Sequence, residues 1–251
     1  MRLVLTCTML AALFLACQEE QSLRVPPEMP NVEKAAKPGF DKPMLPAYKT
    51  EAEKMPNKAD SYGDYKDSHP EWYGISNPPT ANVRPAAEWE PAQKLMVTYS
   101  SNSLPSGIKK NFADIVKYGK PVVDIVVVYD GANMKSAFQN LLSSYGVSSS
   151  GIEWQQMDND SIWQRDYGPF SIRSGGKVGF TDFRYYHQRI YDDAIPAKQA
   201  IQWNISDYRM PVDFEGGNFM SDTKGNCFTT TGLLMYNGVG ESTLKGYFKD
   251  Y

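Results

Sequence analysis

Two hydrophobic rhythms alternate along the chain from Lys94 onward. Lys94–Tyr99 and Val122–Tyr129 (VVDIVVVY) are β-branched and aromatic runs that read as strands, the second apolar enough to be buried on both faces. Between them Ile108, Phe112, Ile115 and Val116 recur at helical spacing, with Gly119 as a stop. Met134, Phe138, Leu141 and Leu142 mark a second helix, which Gly146 is placed to cap. Strands are expected at Gly151–Met157, Phe170–Arg173 and Lys177–Phe183, the last two joined through a Ser174-Gly175-Gly176 turn. A helix over Asp192–Ile205 carries Pro196 in its first turns, and Arg209–Phe214, Asn218–Asp222 and Cys227–Thr231 read as short strands. Glu241–Tyr251 opens on an acid and spaces Leu244, Tyr247 and Phe248 as one more helix. Strands and helices alternating in this way predict an α/β fold.

Upstream the pattern changes twice. Leu3–Ala16 is an apolar run of the length of a signal-peptide core, too short to span a bilayer as a helix. It ends Phe14-Leu15-Ala16-Cys17 before the abruptly polar Gln18-Glu19-Glu20, a pattern that resembles a bacterial lipobox. Residues 1–16 are therefore expected to be removed and Cys17 to carry lipid, placing the protein in the cell envelope, with Gln18 favouring the outer membrane. Twelve of the 17 prolines lie between Pro26 and Pro91, so residues 17–84 read as a tether. Tyr62, Tyr65, Trp72 and Tyr73 would allow its last part to pack as an arm, but a spacer is the simpler expectation. The globular part is expected over residues 85–251.

Composition then narrows the chemistry. The chain has 26 basic and 29 acidic side chains in 251 residues and lacks the basic footprint of a nucleic-acid binder. Its 2 histidines and 3 cysteines are too scattered for a zinc site, so no metal is expected. Two acidic clusters stand out. Met157–Phe170 (MDNDSIWQRDYGPF) crowds Asp158, Asp160 and Asp166 with Arg165 and Trp163 into a turn between strands, a setting that suits a planar cation. Asp213-Phe-Glu-Gly-Gly-Asn218 pairs acids with glycines that permit close backbone approach. Either cluster alone would be ordinary, since Asp-rich loops usually cap helices and Glu-Gly-Gly usually marks a turn.

Together and in order they are specific. Pro85-Ala-Ala-Glu-Trp-Glu-Pro91, Asp160-Ser-Ile-Trp-Gln-Arg-Asp-Tyr-Gly-Pro169 and Glu215-Gly-Gly-Asn218 resemble the signatures of the agmatine deiminase and bacterial (Porphyromonas-type) peptidylarginine deiminase family. These are guanidine-modifying enzymes, hydrolases of C–N bonds in linear amidines. The segment Asp182–Asp193 (DFRYYHQRIYDD) is closer to the peptidylarginine type. The resemblance implies a pentein fold, a five-bladed α/β propeller, of which residues 85–251 would hold only the N-terminal blades. It implies no cofactor, and as ligand a small guanidino compound or an arginine-containing peptide. By the same resemblance Asp166 would pair with the guanidinium nitrogens, Trp163 would wall the substrate stem, and Glu215 would orient a catalytic histidine. Arg189 matches an arginine that reads a substrate carboxylate, and His187 stands where a second such arginine is expected.

The family's chemistry also uses a cysteine thiolate and a His-x-Asp motif, both downstream of Glu-Gly-Gly. No histidine follows Glu215 in these 251 residues, and the cysteine that does is Cys227. Cys227 reads as a small buried strand residue rather than a nucleophile. The polypeptide is accordingly expected to be inactive by itself and, with strand edges and apolar faces open, poorly soluble. A non-catalytic, lipid-anchored binder of guanidinium or cationic ligands is the alternative, and a decayed fragment the third reading.

Overall fold

The structure, a computed structural model, describes residues 60–222 and 224–251. The expected signal segment, Cys17 and the tether up to residue 59 lie outside the described residues. Among the described residues no helix is long and apolar enough to cross a membrane.

The expected α/β alternation is present. A parallel sheet has the order β2 (Lys94–Tyr99), β3 (Asp124–Tyr129), β4 (Glu153–Gln156), with α2 (Ser106–Gly119) and α3 (Gly131–Ser144) as its crossovers. Strand β3 is central, and Ile125–Tyr129 is buried throughout. Ile125 and Val127 pack with Phe112, Val116, Phe138 and Leu142, whereas Val128 faces Met157, Tyr167 and Tyr185 on the other side. The IVVVY part of the run has no polar face because both its faces are covered, whereas Val122 and Asp124 ahead of it are exposed. Helix α3 ends as its glycine predicts. Gly146 is left-handed at φ +68°, its N–H reaches Ser143 O, and the Val147 N–H reaches Leu142 O.

A mixed sheet follows in the order β1 (Val83–Pro85), β5 (Phe170–Ser174), β6 (Lys177–Arg184), β7 (Ser206–Asp213). Strands β5 and β6 form a hairpin through Gly175 and Gly176, both at positive φ, as a two-residue primed turn requires. The helix expected over 192–205 is interrupted. A turn α5 (Ile190–Asp193) and helix α6 (Ile195–Trp203) meet at Ala194, with Pro196 near the start of α6, where its missing N–H costs nothing. Asn204, left-handed at φ 52°, closes α6.

Three expectations are corrected. The 218–222 strand is replaced at its start by a 3-10 turn, Gly216–Asn218, leaving β8 as Met220–Ser221 paired with β9, Cys227–Phe228. Helix α7 (Gly232–Asn237) has no counterpart in the sequence pattern. It and α8 (Glu241–Asp250) bury Leu233, Leu234 and Leu244 against Phe183, Met210, Val212 and Phe214. Cys227 is exposed rather than buried, because its hairpin is two residues per strand and no layer of the described residues covers it.

The spacer expectation is also corrected over its last part. Helix α1 (Asp60–Ser68) and the following turn, Pro70–Trp72, dock on α5 and α6. The Tyr65 ring meets Tyr191 edge-on at 4.6 Å, Tyr73 Oη donates to Ile190 O at 2.8 Å, and Lys198 Nζ lies 4.5 Å from the Trp72 ring. His69 stacks on Trp72 at 3.9 Å and stays part-exposed.

Candidate active site

Residues of the second sheet, of the turn before it and of the segment after it line a cavity of about 600 Å³: Asp166, Arg184, Tyr185, Tyr186, Asp213, Phe214, Glu215, Gly217, Asn218, Thr230, Gly232, Leu233 and Tyr236. Its acidic wall is built by the two clusters singled out in the sequence. Asp166 lies on α4 (Gln164–Tyr167), a single turn anchored by the buried Tyr167, whose hydroxyl donates to Thr98 Oγ1 at 2.7 Å. Gly168 ends that turn, where a Cβ would sit 2.4 Å from Gln164 O. Glu215 precedes the 3-10 turn, and Gly216 lets that turn press against α4, since a Cβ there would lie 2.3 Å from Arg165 O. Asn218 then fastens the far side, with Nδ2 on Thr230 Oγ1 at 3.0 Å and Oδ1 accepting the Thr230 N–H at 3.2 Å.

The electrostatics are those of carboxylates held away from water. Burial raises the Asp166 pKa, against the opposing pull of Arg189, the Gly217 N–H and Arg165. Burial and then the Asp166 charge push Glu215 up to about 7. Glu215 Oε1 is buried and has no hydrogen-bond partner among the described residues. Two desolvated acids beside apolar walls attract a cation with several N–H donors, which is what a guanidinium offers. Also lining the cavity, Arg184 forms a bidentate pair with Asp213, both nitrogens at 2.9 Å.

Other expected site residues are placed elsewhere. Trp163 precedes α4 and packs partly buried with the Met157, Tyr167 and Tyr185 cluster, outside the cavity lining. Arg189 is 2% exposed, with Nη1 on Tyr185 Oη at 3.1 Å and its guanidinium over the Tyr186 ring, so it stands behind the wall rather than on it. His187 is exposed and does not line the cavity. Arg165 pairs with Glu88 and donates to Phe219 O, tying the first motif to the last. Within that first motif Glu90 accepts from Arg84 and from the Ala87 N–H, a structural role. Asp158 accepts from Tyr65, and Asp160 is buried away from the cavity, leaving Asp166 as the acid of its cluster that faces the cavity. Arg184 and Tyr236 are lining residues the sequence did not single out. Partial desolvation of the Cys227 thiol, and then the Asp222 charge, raise its pKa, the opposite of what a resting thiolate needs. Among the described residues no three His, Cys, Asp or Glu side chains gather to hold a metal ion.

The family model of the Porphyromonas-type peptidyl-arginine deiminases matches residues 84–245. The chain belongs to that family. A curated Photobacterium profundum protein named "Putative agmatine deiminase" is 24% identical over 174 residues, which are 64% of this chain and 47% of that one. Among solved structures, the agmatine deiminase of Enterococcus faecalis superposes with a TM-score of 0.58 at 21% identity, covering 68% of this chain and 50% of that one. The C. jejuni agmatine deiminase gives 0.55 at 18% identity, covering 65% and 50%. The fold is thus the pentein type, and the chain spans about half the length of the deiminases it matches. Within this chain the close approach of Gly216 to the Arg165 carbonyl brings Asp166 and Glu215 onto one wall.

Proposed function

We propose that this member of the family is a guanidine deiminase by class, acting on peptidyl arginine or agmatine, and that residues 1–251 supply the cation-binding wall of its site. In the reaction of that class a cysteine thiolate adds to the guanidinium carbon, ammonia leaves, and water hydrolyses the thiouronium to the ureido product. The observation that carries the reading is the pairing of Asp166 and Glu215 on one apolar cavity. Two desolvated carboxylates cost free energy until a cation compensates them, so the wall binds best what neutralises both. Cys227 sits on an exposed hairpin, and no histidine follows Glu215 within residues 1–251. These residues by themselves therefore bind guanidinium ligands without turning them over, and Cys17 lipid holds them at the envelope.

Calorimetric titration of the 251-residue chain with agmatine and with an arginine peptide, run beside an ammonia assay, tests this. Saturable binding that Asp166→Asn abolishes and Cys227→Ala leaves intact, without ammonia release, supports the reading. Ammonia release that depends on Cys227 would overturn it. The intact mass of the protein extracted from source membranes tests lipid at Cys17 and reports any longer polypeptide.

A further inference from the structure

Asp166 stands on a support too short to hold itself. Helix α4 has four residues, and Trp163 before it provides no side-chain cap, so local propensity does not fix the turn. Gln164 and Tyr167 lie three residues apart and share one face of it, whereas Arg165 and Asp166 fall on the other. The shared face meets a single hydroxyl of the first sheet, that of Thr98 on β2, which is 0% exposed. Tyr167 Oη donates to Thr98 Oγ1 at 2.7 Å, and Thr98 Oγ1 in turn donates to Gln164 Oε1 at 2.7 Å. Tyr167 Oη also lies 3.2 Å from Ser161 O, which ties the approach to the turn to the same point. One hydroxyl thus joins both ends of α4 to a strand of the other sheet.

The other face is pressed from the glycine side. A Cβ at 216 would lie 2.3 Å from Arg165 O, and one at 217 would lie 2.6 Å from Asp166 Oδ1. The turn is therefore held between the Thr98 hydroxyl and the Gly216-Gly217 backbone, and Asp166 reaches the cavity from that clamp. Thr98 itself does not line the cavity. We propose that Thr98 is a positioning residue for the site, whose hydroxyl fixes the seat of α4 and so sets the affinity of the cavity for a guanidinium. Valine has the shape of threonine without the hydroxyl. Thr98→Val therefore removes the donor to Gln164 Oε1 and leaves Tyr167 Oη with the longer bond to Ser161 O. A turn released on that side shifts Asp166 against Glu215, and a small misplacement of one carboxylate is enough to weaken a ligand that needs both.

The inference rests on the proposed function for its affinity readout but not for its structural one. Amide hydrogen exchange in the ligand-free 251-residue chain follows the N–H groups of Asp166 and Gly168, which bond Trp163 O and Gln164 O within the turn. In Thr98→Val their protection should fall about tenfold more than that of β3, which reports global unfolding. The agmatine Kd, by calorimetry, should rise about tenfold in the same variant. Thr98→Ser keeps the hydroxyl and should stay within about twofold of the parent in both measurements. Tyr167→Phe removes only the donor to Thr98, should weaken binding by about threefold, and serves if the valine variant does not fold. Parent-like agmatine affinity in Thr98→Val and Tyr167→Phe would overturn the proposal. A loss in Thr98→Ser equal to that in Thr98→Val would also overturn it, by making Thr98 a packing residue alone. Turn protection lost as expected while the parent binds no agmatine would leave the anchor standing and sink the proposed function instead.

Discussion

The Gly217 N–H donates to the Asp166 carboxylate, and a Cβ at position 217 would lie 2.6 Å from Asp166 Oδ1. The neighbouring glycine meets something stiffer, since a Cβ at 216 would lie 2.3 Å from the Arg165 carbonyl oxygen. The two alanine variants should therefore fail differently. Gly217→Ala displaces a carboxylate and should weaken agmatine binding by about tenfold while costing about 1 kcal/mol or less of stability. Gly216→Ala must move backbone and should cost about 2–3 kcal/mol. Urea melts and calorimetry on both variants check the split, and an equal loss of stability in the two would refute it.

Glu215 contributes to the pH dependence of stability and, through the cavity wall, of binding. Its pKa is raised from 4.5 to about 7, so the folded chain holds this proton more tightly than the unfolded chain does. Stability from this group is full below about pH 4.5 and declines as pH rises toward 7. The full shift corresponds to about 3 kcal/mol, which partial exposure reduces to about 1–2 kcal/mol. Glu215→Gln should match the parent near pH 4 and be more stable by about that amount at pH 8. Its agmatine affinity should fall about tenfold at pH 8 and much less at pH 6, where the parent carboxyl is already mostly protonated. Urea is the denaturant of choice, because guanidinium competes for the site.

Strands β2, β3 and β6 and helices α2, α3 and α8 are legible in the sequence because each buries a face whose period local composition displays. Cys227 and α7 are not. Both follow Asn218, where contacts distant in sequence decide the conformation: Gly216 is pressed on Arg165, Asn218 grips Thr230, and Asn237 grips Asp213. The arm reads as spacer because prolines suppress its periodicity, yet single aromatic rings suffice to dock it. For the site, motif order identified Asp166 and Glu215, which the fold brings to one wall. Motif membership could not separate wall from scaffold, which is why Asp160, Arg165 and Arg189 hold structure while Arg184 and Tyr236 line the cavity.

Arg209 joins four segments through one buried guanidinium. It donates to Asp182 Oδ2 at 2.6 Å, to Asp193 Oδ1 at 2.7 Å, to Asp193 O at 3.1 Å and to Trp72 O of the arm at 3.4 Å. Its side chain is 4% exposed and those of its acidic partners 1% and 5%. Arg209→Ala leaves two acids buried without their cation and should cost about 3–5 kcal/mol in urea unfolding. Arg209→Lys keeps the charge but cannot span both acids, and should recover about half of that loss. Full recovery with Lys would show that charge alone, not the fork, holds the junction.

Strand β7 ends its sheet, and its outer edge is closed over Arg209–Asp213. Arg209 N–H donates to Ser76 Oγ at 2.9 Å and Arg209 O accepts the Ser76 N–H at 3.1 Å. Two residues on, Pro211 has no N–H, and its carbonyl accepts from Arg184 at 3.3 Å. Two further, Asp213 N–H and O are both taken by the Asn237 amide, at 2.7 and 3.0 Å. Across the irregular pairing of Arg209–Asp213 with β6, the N–H groups of Arg209 and Asp213 are taken and Pro211 has none, so none of the three offers a docking strand a free N–H. The expectation of open strand edges is thus not met at β7, whereas Trp89, Met220, Phe228 and Met235 remain exposed. Pro211→Val restores a donor on that edge, and Asn237→Ala frees two more groups while loosening α7 from the cavity. Sedimentation velocity should show each variant self-associating at concentrations where the parent does so less, and Asn237→Ala should also lose about 1–2 kcal/mol of stability. Equal association in parent and variants would place any stickiness on the exposed apolar residues instead, and a Met220→Ser, Phe228→Ser pair would then be the change that relieves it.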